Sequence, residues 1–461
     1  MIKVIFIKEV RSHISSNKMI IAYAIILTLF IANSLIFIKD FKDSRIQHQK
    51  IVTDNLEAIK KNSGNLWNLT FTDQKLAYPP SVLGFMSEAW EKNLPNGIKL
   101  NFFTTSNPEY YKKEDSFFSE SEALDWNNIL ILFVSFICIF FSYDAFSGEK
   151  VEGTLKLMMS NSVSRTHIIL GKYLGICFVT LLPLLAGAIM SSIILLLSPV
   201  IQLSWNHFFD IIYYLFAASL FISLNVCIGM LLSTLTSRPI VSLSFVILVW
   251  IVFSIVIPGI GWVIAKKTVP IESLNSINDK LSIETKALGG SFWNGHWKTP
   301  TPEVLANKNY FDKVDEIVNK TWNDYRNSLF NQVNSGIAFS KISPFQVFRF
   351  LGDKVADNGF PRYNNFYNQL KNYHQTYRDF IILKDKGDQQ SHHLIWANEY
   401  CTSGFMSKKS VSYEEVPKFE YKIPFFVQTI NATKWELLIL LLWNMILFTG
   451  VSFAFIRYDV R

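Results

Sequence analysis

The chain has 461 residues, of which 50% are hydrophobic, 15% aromatic and 18% charged, with a formal net charge of +7. Soluble domains carry about 25% charged residues, and the mean hydropathy here is positive, +0.22. A disordered chain is excluded, a single soluble enzyme domain is disfavoured, and four cysteines are too few for a disulfide scaffold.

Residues 1–18 place Ile2, Phe6, Val10 and Ile14 on one helical stripe, with Lys3, Lys8 and Arg11 elsewhere. That is the pattern of an amphipathic helix lying in a cytoplasmic membrane interface; the alternative is the start of a bent first span. The same residues resemble the charged part of a secretory signal. The apolar run after them is too long and lacks a small-residue cleavage site, so it is expected to be retained. Residues 19–38 (MIIAYAIILTLFIANSLIFI) then run for twenty positions without a charge. Five further apolar runs follow, at 129–146, 173–198, 208–232, 239–265 and 435–456. A helix needs roughly 20 apolar residues to cross the hydrocarbon core, and a helix satisfies its own backbone polar groups there. Six membrane spans are therefore predicted, in preference to buried helices of a large soluble protein. Asp210 and Glu436 begin the fourth and sixth runs and are read as reaching the interface. Pro258-Gly259-Ile260-Gly261 is expected to end the fifth span in a short re-entrant turn.

Basic residues orient the spans. Lys3, Lys8, Arg11 and Lys18 precede the first; Lys150, Lys156, Arg165 and Lys172 lie between the second and third; Arg238 lies between the fourth and fifth; Arg457 and Arg461 follow the sixth. The short loop 199–207 has neither Lys nor Arg. By the positive-inside rule both termini are cytoplasmic, and the +7 is accounted for without nucleic acid. Two polar segments, 39–128 and 266–434, then face outward. Both are rich in Trp, Tyr and Phe and are large enough for a core, separate or shared. In the second, Phe311, Val314, Val318, Trp322, Tyr325 and Leu329 recur at helical spacing, with Ser335-Gly336 as the expected stop. Phe366, Leu370, Tyr373, Tyr377 and Phe380 form another such stripe, read as core, and 384–390 (KDKGDQQ) reads as a loop. Strand signals are weak. The fold expected is an all-α polytopic membrane protein with six transmembrane helices, an N-terminal interfacial helix and a mainly α-helical extracytoplasmic domain.

His392-His393, with His374, Glu399 and Cys401 nearby, invites a metal reading, but no HExxH or paired CxxC supports it, and solvated histidines are the preferred reading. No metal, cofactor or catalytic constellation is assigned. Ser403-Gly404 and the eight histidines offer no nucleophile–base spacing, which disfavours a membrane-anchored enzyme.

The loop 143–175 reads YDAFSGEKVEGTLKLMMSNSVSRTHIILGKYLG. Glu149 and Glu152 precede Gly153-Thr154. Leu155, Leu157, Met158 and Met159 form an apolar patch of the adaptable kind that suits docking to a partner protein. Ser164 and Arg165 offer a helix start for the third span. This run of acid, Glu-Gly-Thr-Leu, Leu/Met, Val-Ser-Arg and Gly-Lys resembles the loop of ABC transporter permeases of the type-2 exporter superfamily, although Asn161-Ser162 stands where that family often has a proline. The resemblance extends to the layout of six spans, termini inside and a long segment after the first span. It also takes in a subgroup with Ser-Pro (Ser343-Pro344-Phe345) in a large insert before the last span. It implies that Glu149, Glu152, Gly153, Thr154, Leu155 and Met158 belong to a coupling helix seated in a groove of an ATPase, with Ser164 and Arg165 closing the loop. No GxxxxGK[ST] occurs in the chain, so ATP-Mg would be held by a separate ABC ATPase in two copies. The other expected partners are a second permease subunit, the same or homologous, and membrane lipid. The expected location is a bacterial cytoplasmic membrane. The function implied is the non-catalytic permease of an exporter for an amphipathic peptide, lipid or natural product. The alternatives are a mechanotransmitter acting on an extracytoplasmic partner and a structural or sensory membrane protein.

Overall fold

The computed structural model describes residues 1–88, 94–103, 105–109, 124–160, 163–288, 302–395, 405–424 and 426–458. It is an α-helical polytopic membrane protein, with six helices among the described residues long and apolar enough to cross a bilayer. Helix α1 (Ile2–Ile14) is followed by α2 (Asn17–Asn62). No Gly or Pro occurs before Gly64 in this stretch, so nothing stops α2 where its apolar run ends at Ile38. At 1.5 Å per residue its 46 residues reach about 69 Å, roughly twice the hydrocarbon thickness. One end therefore packs in the bundle through Ile26 and Phe30, and the other enters a second core through Ile59.

Beyond α2 stand α3 (Leu66–Phe71) and a three-stranded antiparallel sheet, β1 (Gln74–Ala77), β2 (Gly97–Leu100) and β3 (Thr105–Glu109). Gln74 pairs with Leu100 and Gly97 with Glu109, with a bulge between Ile98 and Leu100. This sheet escapes a sequence reading because its strands are four or five residues long and lack sustained alternation.

The second span runs from α4 (Trp126–Asn128) through a π-helical stretch, Ile129–Val134, into α5 (Ser135–Ser142). After α6 (Ser147–Glu152) and α7 (Thr154–Ser160) come the third and fourth spans, α8 (Arg165–Leu196) and α9 (Trp205–Leu235). The fifth is α10 (Pro239–Ile251), a second π-helical stretch, Val252–Val256, and α11 (Ile257–Thr268). The turn expected at Pro258 does not form. The π stretch absorbs the missing proline N–H, as such bulges do, and the helix continues.

Helices α12 (Leu274–Ala287) and α13 (Pro302–Ser340) follow. Gly336 does not stop α13. A Cβ there would fall 2.4 Å from the Trp262 ring, so this glycine lets α13 lie directly on α11. Helix α14 (Pro344–Val355) starts with Ser343 accepting from Phe345 N and with Pro344 in its first turn, where a missing N–H costs nothing. It comes from a polar segment yet is buried nearly all round. Phe345 and Phe348 meet Phe221 of α9 at 5.1 and 4.6 Å between ring centroids, and Phe345 also faces Phe253 at 6.4 Å. The element that re-enters the bundle is therefore α14.

Helix α15 (Gly359–Lys386) carries the second aromatic stripe, and α16 (Phe426–Arg457) is the last span. Phe366, Leu370, Tyr373, Tyr377 and Ile381 bury against Ile59, Leu66, Leu69 and the sheet. Tyr373 donates to Gln74 Oε1 at 2.6 Å and Tyr377 to Leu69 O at 2.7 Å. Segments 39–128 and 266–434 thus share one core, a distal domain standing on α2.

Asp210 and Glu436, read as interfacial, are buried, at 7% and 1% exposure. Glu436 Oε1 accepts from Lys341 at 2.6 Å and Lys354 at 2.8 Å. The apolar run showed their place along the helix but not the burial, which for Glu436 comes with lysines from the end of α13 and from α14.

A polar seam joins α14 to the start of the second span. Tyr214 donates to Asn127 Oδ1 at 2.9 Å, Asn127 donates to Arg349 O at 3.1 Å, and Ser87 donates to Asp353 Oδ1. Burial pushes the Asp353 carboxyl up to about 6, against the hydrogen bond from Ser87 and the attraction of Arg349. A carboxyl raised on folding binds its proton more tightly in the native state, so its contribution is largest below the unfolded value and is lost as pH rises through about 6. Asp353→Asn, which keeps the acceptor, should lessen the fall in thermal midpoint between pH 4 and 7 and melt higher than the parent at pH 8. Melting curves of both proteins at pH 5 and pH 8 check this; an Asn variant that melts lower at pH 8 contradicts it.

Candidate functional site

The loop between the second and third spans is a helical knuckle. Its two short helices, α6 and α7, turn at Gly153, whose φ is +72°. A Cβ there would meet nothing within 4 Å, so glycine is needed for the left-handed backbone, which other residues adopt at a cost. The Gly153 amide bonds back to Lys150 O, and Thr154 Oγ1 reaches Glu149 O at 3.5 Å.

Several polar groups at the base tie the knuckle to other helices. Ser233 Oγ on α9 accepts from the amides of Phe146 and Ser147, both at 2.9 Å. Lys150 Nζ donates to Thr234 O at 2.6 Å and Thr236 O at 2.9 Å, capping the open carbonyls at the C-terminus of α9. It also lies 4.3 Å from the Tyr458 ring centroid. Arg165 Nη1 does the same for α16, donating to Phe455 O and Tyr458 O at 3.1 Å and to Ile456 O. Ser164 is the N-cap of α8, accepting from His167 N. Close approach supports these ties: a Cβ on Gly229 of α9 would fall 1.8 Å from Ser142 Oγ.

The sequence-derived residues divide into two groups. Leu155 is 2% exposed, in the bundle core, and Met158 packs half-buried against it. Glu149 turns inward to meet Lys8 at 3.0 Å and Lys172 at 2.9 Å. Arg165 and Ser164 serve helix ends. Glu152 and Lys156 are exposed. The largest apolar groups facing away from the bundle are Val151 at 64% and Leu157 at 68% exposure. Val151 was not singled out from sequence, and Leu157 was not separated from its buried neighbours. Both stand on short helices that meet at Gly153.

The N-terminal helix also packs on the bundle, through a face beside its apolar stripe. Ile5 and Glu9 are the buried residues of α1, and Phe6 packs on Phe178 of α8 at 5.7 Å between ring centroids. A Cβ on Gly171 or Gly175 of α8 would fall 2.7 Å from the Cβ of Ile5 or Glu9, so α1 lies directly on α8.

The metal reading finds no support in placement. His374 is bound to Asn101 O at 2.9 Å and His393 to Asp385 Oδ2 at 3.0 Å. Glu399 and Cys401 lie outside the described residues, and among the described residues no group of three His, Cys, Asp or Glu could hold a metal.

A six-span helical membrane protein with a braced knuckle at one end and a folded domain at the other has the form of a transporter's membrane component. A family model described as ABC-2 family transporter protein matches residues 3–460, and the chain belongs to that family. No curated protein matches it.

Proposed function

We propose that this chain is the permease half of an ATP-driven exporter, with the knuckle as the docking element for a separate ABC ATPase. One observation carries the reading. The base of the knuckle is tied to the ends of α8, α9 and α16, while the side chains of Val151, Glu152, Lys156 and Leu157 are exposed on its outer side. A push on that pad is delivered to three spans at once, and different contacts with the open and closed ATPase dimer supply the work. Two ATPase copies holding ATP-Mg and a second permease subunit complete the assembly. The middles of the spans carry no charge between Ile211 and Leu235 or between Leu437 and Ile456. That favours an amphipathic peptide, lipid or natural product over an inorganic ion. By the positive-inside rule the knuckle and both termini are cytoplasmic and the distal domain extracytoplasmic.

The chain, affinity-purified from its native membrane, should bring down a subunit bearing GxxxxGK[ST]. Glu152→Lys should reduce that subunit about tenfold at unchanged permease yield, and equal recovery overturns the docking role. A membrane-impermeant thiol reagent on spheroplasts should label Cys401; labelling only after lysis reverses the orientation.

A second reading is favoured by α2. One uninterrupted helix belongs to both cores, so movement of the bundle reaches the distal domain without a joint. Work would then be done on an extracytoplasmic partner, with no cargo crossing.

A further inference from the structure

The ties at the base of the knuckle are of two kinds. Lys150 and Arg165 hold backbone carbonyls, which any bundle movement carries along passively. A further tie is a charge network that reaches α1. Lys172 Nζ, on α8 and 2% exposed, sits 2.9 Å from Glu9 Oε1 of α1 and 2.9 Å from Glu149 Oε1 of α6. Lys8 Nζ meets the same Glu149 oxygen at 3.0 Å, and His13 Nε2 stands 3.7 Å from Glu9 Oε2. Glu149 Oε2 is buried without a hydrogen-bond partner among the described residues.

The sign of the charges decides what this arrangement does. With Lys172 in place, two carboxylates on different helices are drawn to one ammonium. Without it, Glu9 and Glu149 face each other at low dielectric with only the exposed Lys8 beside Glu149 and His13 beside Glu9, and repel. We infer that Lys172 is a positioning residue that makes α1, the knuckle and the third span move as one body by bridging Glu9 and Glu149. Helix α1 is then a strut rather than a free interfacial float. Its glycine-seated contact on Gly171 and Gly175 gives the bridge a short lever with little slack. This rests on the docking role proposed above only for its functional consequence; the mechanical claim concerns this chain alone.

The test separates the two. In the full-length protein in nanodiscs of phosphatidylethanolamine and phosphatidylglycerol, Lys172→Met should raise hydrogen exchange about tenfold at the amides of residues 149–158 and along α1. The amides of α9 near Tyr214 should stay protected. Lys172→Arg should restore protection, whereas Lys172→Met combined with Glu9→Gln and Glu149→Gln, which removes the repulsion but not the missing bridge, should restore it only in part. Unchanged exchange in Lys172→Met, or loss spread evenly over the bundle, overturns the bridge. With the co-purified ATPase, Lys172→Met should retain the subunit while ATP turnover loses its dependence on the permease; the triple variant, folded but unbridged, should show the same loss. Retained dependence in both variants overturns the transmission role. Failure to recover any ATPase refutes the docking reading and leaves the exchange result to decide the bridge.

Discussion

Val151→Asp combined with Leu157→Asp should abolish recovery of an ABC ATPase with the permease while leaving the permease's thermal midpoint within a degree or two. Both side chains are more than 60% exposed, so neither contributes much to the isolated fold, and surface substitutions of this kind shift stability by about 0.5 kcal/mol or less. Burying each in a partner's groove is worth about 1.5–3 kcal/mol. Losing both, and placing two carboxylates there instead, predicts at least about a hundredfold weaker association. Leu155→Ala supplies the contrast. Its side chain is 2% exposed in the bundle, so the cavity should cost about 2–5 kcal/mol of stability and lower the midpoint itself. Affinity capture with quantified ATPase, alongside a melting curve for each variant, checks both. Full ATPase recovery with the double aspartate places the docking surface elsewhere.

The second large effect is expected at Glu436. This carboxylate on α16 joins the end of α13 through Lys341 and α14 through Lys354, and Lys354 also donates to Ala432 O at 2.7 Å. Removing both ammonium groups, as Lys341→Met with Lys354→Met, leaves a buried charge uncompensated. Such a change costs about 3–5 kcal/mol, a large share of the 5–15 kcal/mol that holds a typical protein folded. The double variant should be recovered in low yield and melt far below the parent. Adding Glu436→Gln removes the orphaned charge and should return most of the stability, because what is costly is the unpaired ion rather than the missing pair. Size-exclusion profiles after heating a dilution series of the three proteins decide it; a double variant as stable as the parent shows that Glu436 is solvated.

How much of this was legible beforehand differs by residue. The helical loop between the second and third spans could be read from one contiguous stretch. Which of its residues face outward could not. Glu149 and Glu152 are three apart in the same acidic run, yet one is drawn inward by Lys8 and Lys172 while the other is left in solvent. Arg165 belongs to the loop by sequence and to the end of α16 by contact. Gly336 looked like a helix stop and is a packing notch. Asp210 and Glu436 were placed at the ends of their apolar runs, but that they are buried there, with Glu436 paired to Lys341 and Lys354, was not legible.

The sequence by itself determined what depends on local hydropathy and charge: the six spans, the apolar length of each and the asymmetry of Lys and Arg along the chain. Those quantities act through short stretches in contact with their own solvent, so nothing distant can alter them. Only the tertiary structure decided which polar groups are paired, that α14 enters the bundle, and that the two polar segments build one core on α2. Each of these joins residues tens to hundreds of positions apart, at distances that no local pattern encodes.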